Sequence, residues 1–391
     1  MRLKDVCTVF ADGDWIESKD QSEEGIRLVQ TGNIGEGIYL EKESRAKYIS
    51  EDTFKRLKCT EIFAGDILVS RLPEPVGRAC IIPDKTERMI TAVDCTICRP
   101  DSNLISKEYL CYFMRSNTYY TRLLGNVTGT TRKRISRKNL GNVELRVPSK
   151  EEQKSVVERL DCLLKVIESR AKELQLLDDL IKARFVEMFG DTVTNSMNWE
   201  EHVLSEYIVF LTSGSRGWAQ YFTDESGEVF ITIKNVKNNH INLDNVQYIM
   251  APNNKEAERT KVQAGDLLIS ITADLGRTGV VDEDIASKGA YINQHLSLVR
   301  LDSSKISPLY VSYFLETEGG KRQFESRNQN GVKAGLNFDA IKSLRILVPD
   351  KKLQEEYLQF VKQVDKSKVV IQKALDETQL LFDSLMQKYF G

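Results

Sequence analysis

The sequence predicts an α+β chain: two pseudo-symmetric globular parts separated by two long helices that form an antiparallel coiled coil. Three observations carry this reading. The chain repeats itself at an offset close to 200, about half of its 391 residues. Each copy opens with short β-type runs punctuated by Gly and Asn turns. Each copy closes with about 40 residues of heptad-spaced apolar side chains.

The repeat is explicit. Ala64–Ser70 reads AGDILVS and Ala264–Ser270 reads AGDLLIS. Tyr48-Ile49 matches Tyr248-Ile249, Gly77-Arg78 matches Gly276-Arg277, and Tyr112-Phe113 matches Tyr313-Phe314. Pro148 and Gln153 match Pro349 and Gln354, and Phe189-Gly190 matches Phe390-Gly391. A duplication of this size means two similar domains related by pseudo-symmetry, which suits a partner with its own two-fold symmetry.

In the globular parts, 1–150 and 191–350, strands are expected around Ile67–Val69, Ala79–Ile82, Leu267–Ile271 and Leu296–Val299. Lys107–Leu124 and Pro308–Phe324 carry apolar residues at helical spacing, one helix in each copy. The segments 151–190 and 351–391 differ in kind. In the first, Leu160, Ile167, Leu174, Ile181 and Met188 fall every seven residues, with Leu163 and Leu177 between them; Arg170 and Arg184 interrupt that second series. In the second, Tyr357, Val364, Ile371, Thr378 and Leu385 form one series, and Val361, Lys368, Leu375, Phe382 and Tyr389 the other. Pro148-Ser149 and Pro349-Asp350 are start signals, and Gly190 and Gly391 lie at the ends. At ~1.5 Å per residue each helix is roughly 60 Å long.

Composition bounds the function. The apolar fraction is 41%, with only 8 prolines, which describes a globular rather than a disordered chain. No apolar run is long enough for a membrane span, and no signal peptide is evident, so a cytoplasmic location is expected. Seven cysteines without framework spacing suit free thiols in a reducing compartment. The net charge of −2 does not advertise a nucleic-acid binder, but its distribution does. Residues 121–150 hold eight basic residues against Glu144, and the equivalent 322–351 hold six against three acids. Both copies place excess positive charge at the same point.

Catalytic signatures are missing. There is no P-loop, no strand followed by Gly-x-Gly-x-x-Gly, and no adjacent prolines that could form an Asn/Asp-Pro-Pro-aromatic methyltransferase motif. Neither Pro83-Asp84 nor Pro349-Asp350 is followed by the acid-x-Lys pair of a Mg²⁺ nuclease. Cys95 and Cys98 form a CxxC, but positions i and i+3 of a strand face opposite ways and their repeat partners are Leu296 and Val299, so core cysteines are expected rather than a metal or redox site. His202, His240 and His295 have no counterpart in the first copy, so a shared histidine mechanism is not expected. His295, after Asn293-Gln294, is either a polar loop residue or a base reader.

The sharpest polar motif runs from Gly125 through Thr128, Thr130, Arg132, Lys133, Arg134 and Ile135 to Arg137 and Lys138. Its counterpart, 328–337, offers amides, including Asn330, and Lys333. Such side chains bind phosphates and read base edges: Arg and Lys on guanine, Asn and Gln on adenine, Thr on the thymine methyl. Two aligned loops of different chemistry fit two modules reading different sequences; ordinary loops entering the next strand are the plain alternative.

The whole layout resembles the DNA-specificity subunits of type I restriction–modification systems: an α+β domain with a Gly-Thr-Thr-Arg-Lys-Arg-Ile loop and a Val-Pro strand, a Glu-Glu-Gln-Lys helix start, a coiled-coil helix closing on Phe-Gly, then all of it again. The resemblance covers the chain. It implies target recognition domains at 1–150 and 191–350 and conserved helices at 151–190 and 351–391. It also implies framework positions at Gly32-Asn33, Gly65-Asp66, Ser70-Arg71, Gly77, Gly265-Asp266, Ser270 and Gly276. The second copy departs at Ile271, where the first has Arg71, and is net −5 over 191–350.

The candidate DNA-contacting residues are Asn33, Arg71, Thr128, Thr130, Arg132, Lys133, Arg134, Arg137 and Lys138 in the first copy. In the second they are Lys234, Asn235, Thr272, Arg277, Gln294, Asn330 and Lys333. The candidate seam is Leu160, Leu163, Ile167, Leu174, Leu177 and Ile181 against Val361, Val364, Ile371, Leu375, Phe382 and Leu385. The family implies double-stranded DNA as ligand and, as partners, two methyltransferase subunits and restriction/translocase subunits. The chain itself is then non-catalytic, with no metal and no cofactor of its own, and S-adenosylmethionine, ATP and Mg belong to the partners. A duplicated coiled-coil adaptor that binds only proteins is the alternative; an autonomous nuclease is a third reading.

Overall fold

The computed structural model describes residues 1–125, 127, 129, 133–224, 226–328 and 335–391. It divides into two compact units, Met1–Lys172 with Gln372–Gly391, and Glu173–Ile371. The division therefore runs through both long helices and not at the edges of the globular parts.

In the first unit eight strands form two sheets. They are β1 (Cys7–Asp12), β2 (Ile26–Val29), β3 (Tyr48–Ile49), β4 (Glu61–Ile62), β5 (Ile67–Ser70), β6 (Ala79–Ile81), β7 (Met89–Thr91) and β8 (Cys95–Pro100). One sheet is antiparallel in the order β1-β8-β5-β6. The other runs β3-β2-β7-β4, with β2 and β7 parallel. The motif AGDILVS makes β5 a central strand covered on both faces. Ile67 and Val69 pack beneath the helices with Leu3 and Tyr119, while Leu68 joins Val29, Ile34 and Ile62 between the sheets. The second unit repeats this. Ile208–Ser213, Leu296–Leu301, Leu267–Ser270 and Thr278–Val280 form the antiparallel sheet, and Glu228–Ile231 pairs in parallel with Ala290–Ile292 in the other. Leu267 and Ile269 face one core and Leu268 the other.

The single helices expected over Lys107–Leu124 and Pro308–Phe324 are each broken in two. The observed helices are Lys107–Phe113 and Asn117–Leu124, then Pro308–Leu315 and Glu318–Arg327. Hydroxyls cause the break. Ser116 Oγ accepts the Tyr119 N–H at 3.2 Å and Thr317 Oγ1 accepts the Gly320 N–H at 3.4 Å, each capping a new helix.

The two long helices span Lys150–Phe189 and Lys351–Phe390, 40 residues each. Ser149 Oγ caps the first by accepting from Glu152 N–H, whereas Asp350 serves the second only through its backbone carbonyl. Gly190, at φ +79°, lets the chain leave the first helix. Every seam residue faces inward: Leu160, Ile181, Val361, Val364, Ile371 and Phe382 are buried, and Leu163, Ile167, Leu174, Leu177, Leu375 and Leu385 half-buried. In the first unit Val156 and Leu160 share a core with Phe382, Met386 and Phe390. In the second Ile181, Phe185 and Phe189 share one with Tyr357, Val361 and Val364. There the stretches run antiparallel, since Asp178 meets Lys368 at 2.7 Å while Ile181 O accepts from Tyr357 Oη at 3.4 Å. The interruptions of the heptads are accommodated. Lys368 is ion-paired, and the Arg184 guanidinium lies 5.7 Å from the centroid of the Phe360 ring.

Each long helix is tied to its globular part by a buried glutamine. Gln153 Oε1 accepts from Ser106 N–H at 2.8 Å, and its amide donates to Leu104 O and Pro148 O. Gln354 Oε1 accepts from Ser307 N–H at 3.1 Å and its amide donates to Pro349 O. Both are 1% exposed, so truncation strands buried backbone groups. Gln153→Ala and Gln354→Ala should each cost about 2 kcal/mol. Amide hydrogen exchange should show the loss of protection confined to the unit that carries the substitution.

Candidate nucleic-acid interface

In the first unit four segments converge where β1 and β5 end. Gly13 lies flat on the chain leaving β7: a Cβ there would come within 2.3 Å of Thr91 O. Asp14 N–H donates to Thr91 O at 2.8 Å and Val93 N–H to Asp14 O at 2.9 Å. Arg71 N–H donates to Asp94 O at 2.9 Å, and Ile135 N–H to Arg71 O at 3.2 Å. These bonds place residues 12–15, 71, 93–94 and 133–138 side by side. Arg134 Nη2 is 2.8 Å from Asp94 Oδ1 and Arg137 Nη1 is 3.9 Å from Asp12 Oδ2, while Lys133 and Lys138 are exposed. The result is a basic surface whose arginines lean on two carboxylates.

The second unit rebuilds the frame with other side chains. A Cβ on Gly214 would meet Asn293 O at 2.1 Å. Ser215 N–H donates to Ile292 O, Gln294 N–H to Ser215 O, Ile271 N–H to His295 O and Leu336 N–H to Ile271 O, at 2.9 to 3.0 Å. On this frame Thr272 Oγ1 and His295 Nδ1 are 2.7 Å apart, Arg216 Nε donates to Gln294 Oε1, and Gln294 Nε2 is 3.3 Å from His295 Nε2. Hydroxyl, amide and imidazole, with the single Arg216, stand where the first unit has its basic loop and carboxylates.

The strands that lead into the frames are tied at their other end by a second duplicated device. Asp66 is buried and takes Arg99 in a two-pronged ion pair, 2.8 Å at each prong; Asp266 takes Arg300 at 2.7 Å. In addition Asp66 Oδ2 accepts from Phe63 N–H and Asp266 Oδ2 from Gln263 N–H.

The structure sorts the candidates. Lys133, Arg134, Arg137, Lys138, Thr272 and Gln294 lie in the converging segments. The side chains of Asn33 and Asn235, expected on DNA, are instead taken up by their own turns. Both are 5% exposed. Asn33 accepts from Gln30 N–H and donates to Leu40 O, and Asn235 does the same with Thr232 and Asn242. They are turn clamps. Arg71 is also corrected: at 5% exposed it donates to Val93 O and sits 3.5 Å from Asp12, so it forms the floor of the site. Lys234 is exposed on the turn beside Asn235, and Arg277, paired with Asp274, lies at the start of the strand Thr278–Val280. Thr128, Thr130, Arg132, Asn330 and Lys333 lie outside the described residues. Asp12, Asp94 and Arg216 are not found from sequence, because a search for basic runs passes over carboxylates and single arginines.

Cys95 and Cys98 face different cores, as strand geometry requires. Burial pushes the Cys95 thiol up to about 12 and Cys98 well above its usual range. Cys162 alone among the seven is exposed. With an aromatic disulfide reagent at pH 8, one thiol should react quickly and the buried ones only on unfolding. Asn33→Ala should lower the stability of the first unit by about 2 kcal/mol in denaturant titration, with DNA affinity of the folded chain unchanged.

Comparison with known proteins bears on this geometry. The sequence profile of the type I restriction modification DNA specificity domain matches residues 1–178 and again 215–378. The chain is 22% identical over 300 residues to the type I restriction enzyme EcoBI specificity subunit of Escherichia coli, covering 70% of this chain and 63% of that one. It is 24% identical over 318 residues to the StySPI specificity subunit of Salmonella potsdam, covering 76% and 67%. The chain thus spans about two thirds of the length of these curated relatives. Its fold is that of the S subunit of a type I restriction-modification system from M. genitalium, with a TM-score of 0.57 at 14% identity, covering 100% and 95% of the two chains. A chain from a structure on assembly and conformational transition of the type I R-M system gives 0.60 at 17% identity, covering 100% and 96%. No helix among the described residues is long and apolar enough to cross a membrane.

Proposed function

The chain belongs to the type I restriction modification DNA specificity family, and on that premise we propose that it is the sequence-reading, non-catalytic subunit of such a system. The observation that carries this reading is the duplicated frame. The same four segments, held by the same backbone bonds, carry arginine, lysine and aspartate in one unit and threonine, glutamine, histidine and arginine in the other. One scaffold with two chemistries suits two different half-sites in double-stranded DNA.

In the first unit Lys133 and Lys138 meet phosphates, and Arg134 and Arg137 exchange a carboxylate for DNA. Asp94 and Asp12 hold those arginines in place beforehand and lower the attraction to arbitrary sequence. In the second unit the amides and His295 do most of the reading, and partner subunits supply part of the positive surface that its net charge of −5 lacks. The long helices fix the gap between half-sites, since spacing follows protein geometry.

Two methyltransferase subunits, which bring S-adenosylmethionine, bind the helices; restriction subunits, which bring ATP and Mg, complete the system in the cytoplasm. Leu180 and Leu381 are repeat-equivalent, one in each unit, and are 45% and 50% exposed on the long helices. An apolar residue repeated on the outer surface suits two equal docking sites.

Methylation mapping in cells carrying the complete system tests the reading, with a split, asymmetric site as the expected outcome. Alanine at Lys133, Arg134, Arg137 and Lys138 should weaken binding to every sequence. It should also flatten the plot of log affinity against log salt, by about 0.9 for each phosphate no longer neutralised. Adding one heptad to each helix, after Lys172 and after Ile371, lengthens the pair by about 10 Å and should lengthen the spacer by about three base pairs. An unchanged spacer would remove the helices as the ruler.

A further inference from the structure

We propose that Trp15 is a specificity-determining residue of the first unit, an apolar reader pressed against base edges of its half-site; this rests on the DNA-reading function proposed above. Trp15 follows Gly13-Asp14 and is 70% exposed. It is not a loose residue on a mobile tip. On one side Asp14 is fixed by its backbone bonds to Thr91 and Val93 and by its carboxylate, which accepts the Thr60 N–H at 2.8 Å. On the other, Glu17 opens a short 3₁₀ turn whose Asp20 is ion-paired with Arg56. Among the described residues the ring's one polar contact is a long hydrogen bond, 3.4 Å, from Nε1 to Glu17. Phe63, another exposed aromatic of this unit, carries the Arg99 guanidinium over its face at 4.7 Å. Trp15 has no such cover among the described residues. A rigid backbone is therefore holding a bare indole in water.

The repeat says what this position is for. Gly13, Asp14 and Trp15 align with Gly214, Ser215 and Arg216. Both glycines lie flat on the neighbouring chain, and both following residues make the same pair of backbone bonds. The device is duplicated, and the side chain it displays is not. In the second unit that side chain is Arg216, already engaged with Gln294 among the polar groups of the site. In the first it is an indole, one residue past the Asp14 carbonyl that accepts from Val93 N–H, and the residue after Val93 is Asp94, the partner of Arg134. A large apolar surface beside a basic, phosphate-seeking loop is the arrangement that packs on thymine methyls or wedges at a base step.

The test compares the full wild-type chain with Trp15→Ala and Trp15→Phe, first by methylation mapping in cells with the complete system. Trp15→Ala should relax one or more bases in one half-site and leave the other half-site and the spacer untouched, and Trp15→Phe should keep most of the preference. In vitro, with a duplex carrying the mapped site, Trp15→Ala should bind about tenfold more weakly. The change in tryptophan emission on binding should be smaller in Trp15→Phe than in wild type, since Trp15 is the exposed tryptophan, whereas Trp218 is 4% exposed and Trp199 half-buried. A Trp15→Ala map identical to wild type overturns this inference and leaves the DNA-reading function standing. A wild-type system that marks no split site overturns both.

Discussion

Everything above the level of single strands depends on how the globular parts grip the long helices. In each unit the start of one helix and the end of the other are held together. The start is held by a glutamine amide with no access to water, which joins the first turn to the cap of a neighbouring helix. The end is held by aromatic rings. Phe390 lies 5.1 Å from Tyr109 and 6.3 Å from Phe113, and Phe189 lies 5.0 Å from Tyr310 and 5.4 Å from Tyr357. A buried amide tolerates almost no displacement, because each bond it gives up leaves a desolvated partner. Tilted and edge-to-face rings add directional packing over a large area. Between them they fix the angle at which each recognition surface leaves its helices.

The same logic explains what the duplication has kept. Gln153/Gln354, Asp66/Asp266, Asn33/Asn235 and Gly77/Gly276 are repeat pairs. The polar members make equivalent buried bonds. Gly77 and Gly276 have φ of +93° and +78°, and a Cβ at either would strike Leu123 or Phe324. Such positions cannot drift without leaving a polar group unpaired or a clash unrelieved. Positions whose side chains reach water from the strand ends carry no such penalty. Those are the ones that differ: Trp15 and Arg216, Asp94 and His295. Physical tolerance and divergence between the copies coincide at one end of each sheet.

The architecture is legible in the sequence because it rests on periodicities. A heptad seam and an alternating buried strand leave their spacing in the chain, and two copies leave it twice. The opposed faces of Cys95 and Cys98 follow from the two-residue period of a strand. What stays hidden is decided by burial and partners, which spacing does not encode. Asn33 and Asn235 have the side chains of adenine readers and spend them on their own turns. Arg71 looks like a surface charge and lies on the floor of the site. The hydroxyls of Ser116 and Thr317 end a helix that apolar spacing alone would continue. Asp12 and Asp94 are invisible to a search that finds basic patches by counting cations, whereas here the carboxylates orient them.

The helix seam also departs from perfect repetition, and the departure has a consequence for register. Lys368 occupies a seam position 23% exposed and is 2.7 Å from Asp178 and 3.5 Å from Asp365. Its repeat counterpart is Ile167, and that of Asp365 is Leu164, both apolar and both packed in the first unit's core. A purely apolar seam of this length satisfies several alignments almost equally, because sliding by a heptad returns leucine to leucine. Sliding this one by a heptad would set Lys368 against Ala171 or Phe185 and leave its half-buried ammonium without Asp178, with only Asp365 of its own helix beside it. A polar residue in a seam costs some stability and selects one register. If the helices measure the distance between two half-sites, that selection matters more than the stability given up. A helix pair that slipped by one heptad would measure a different length.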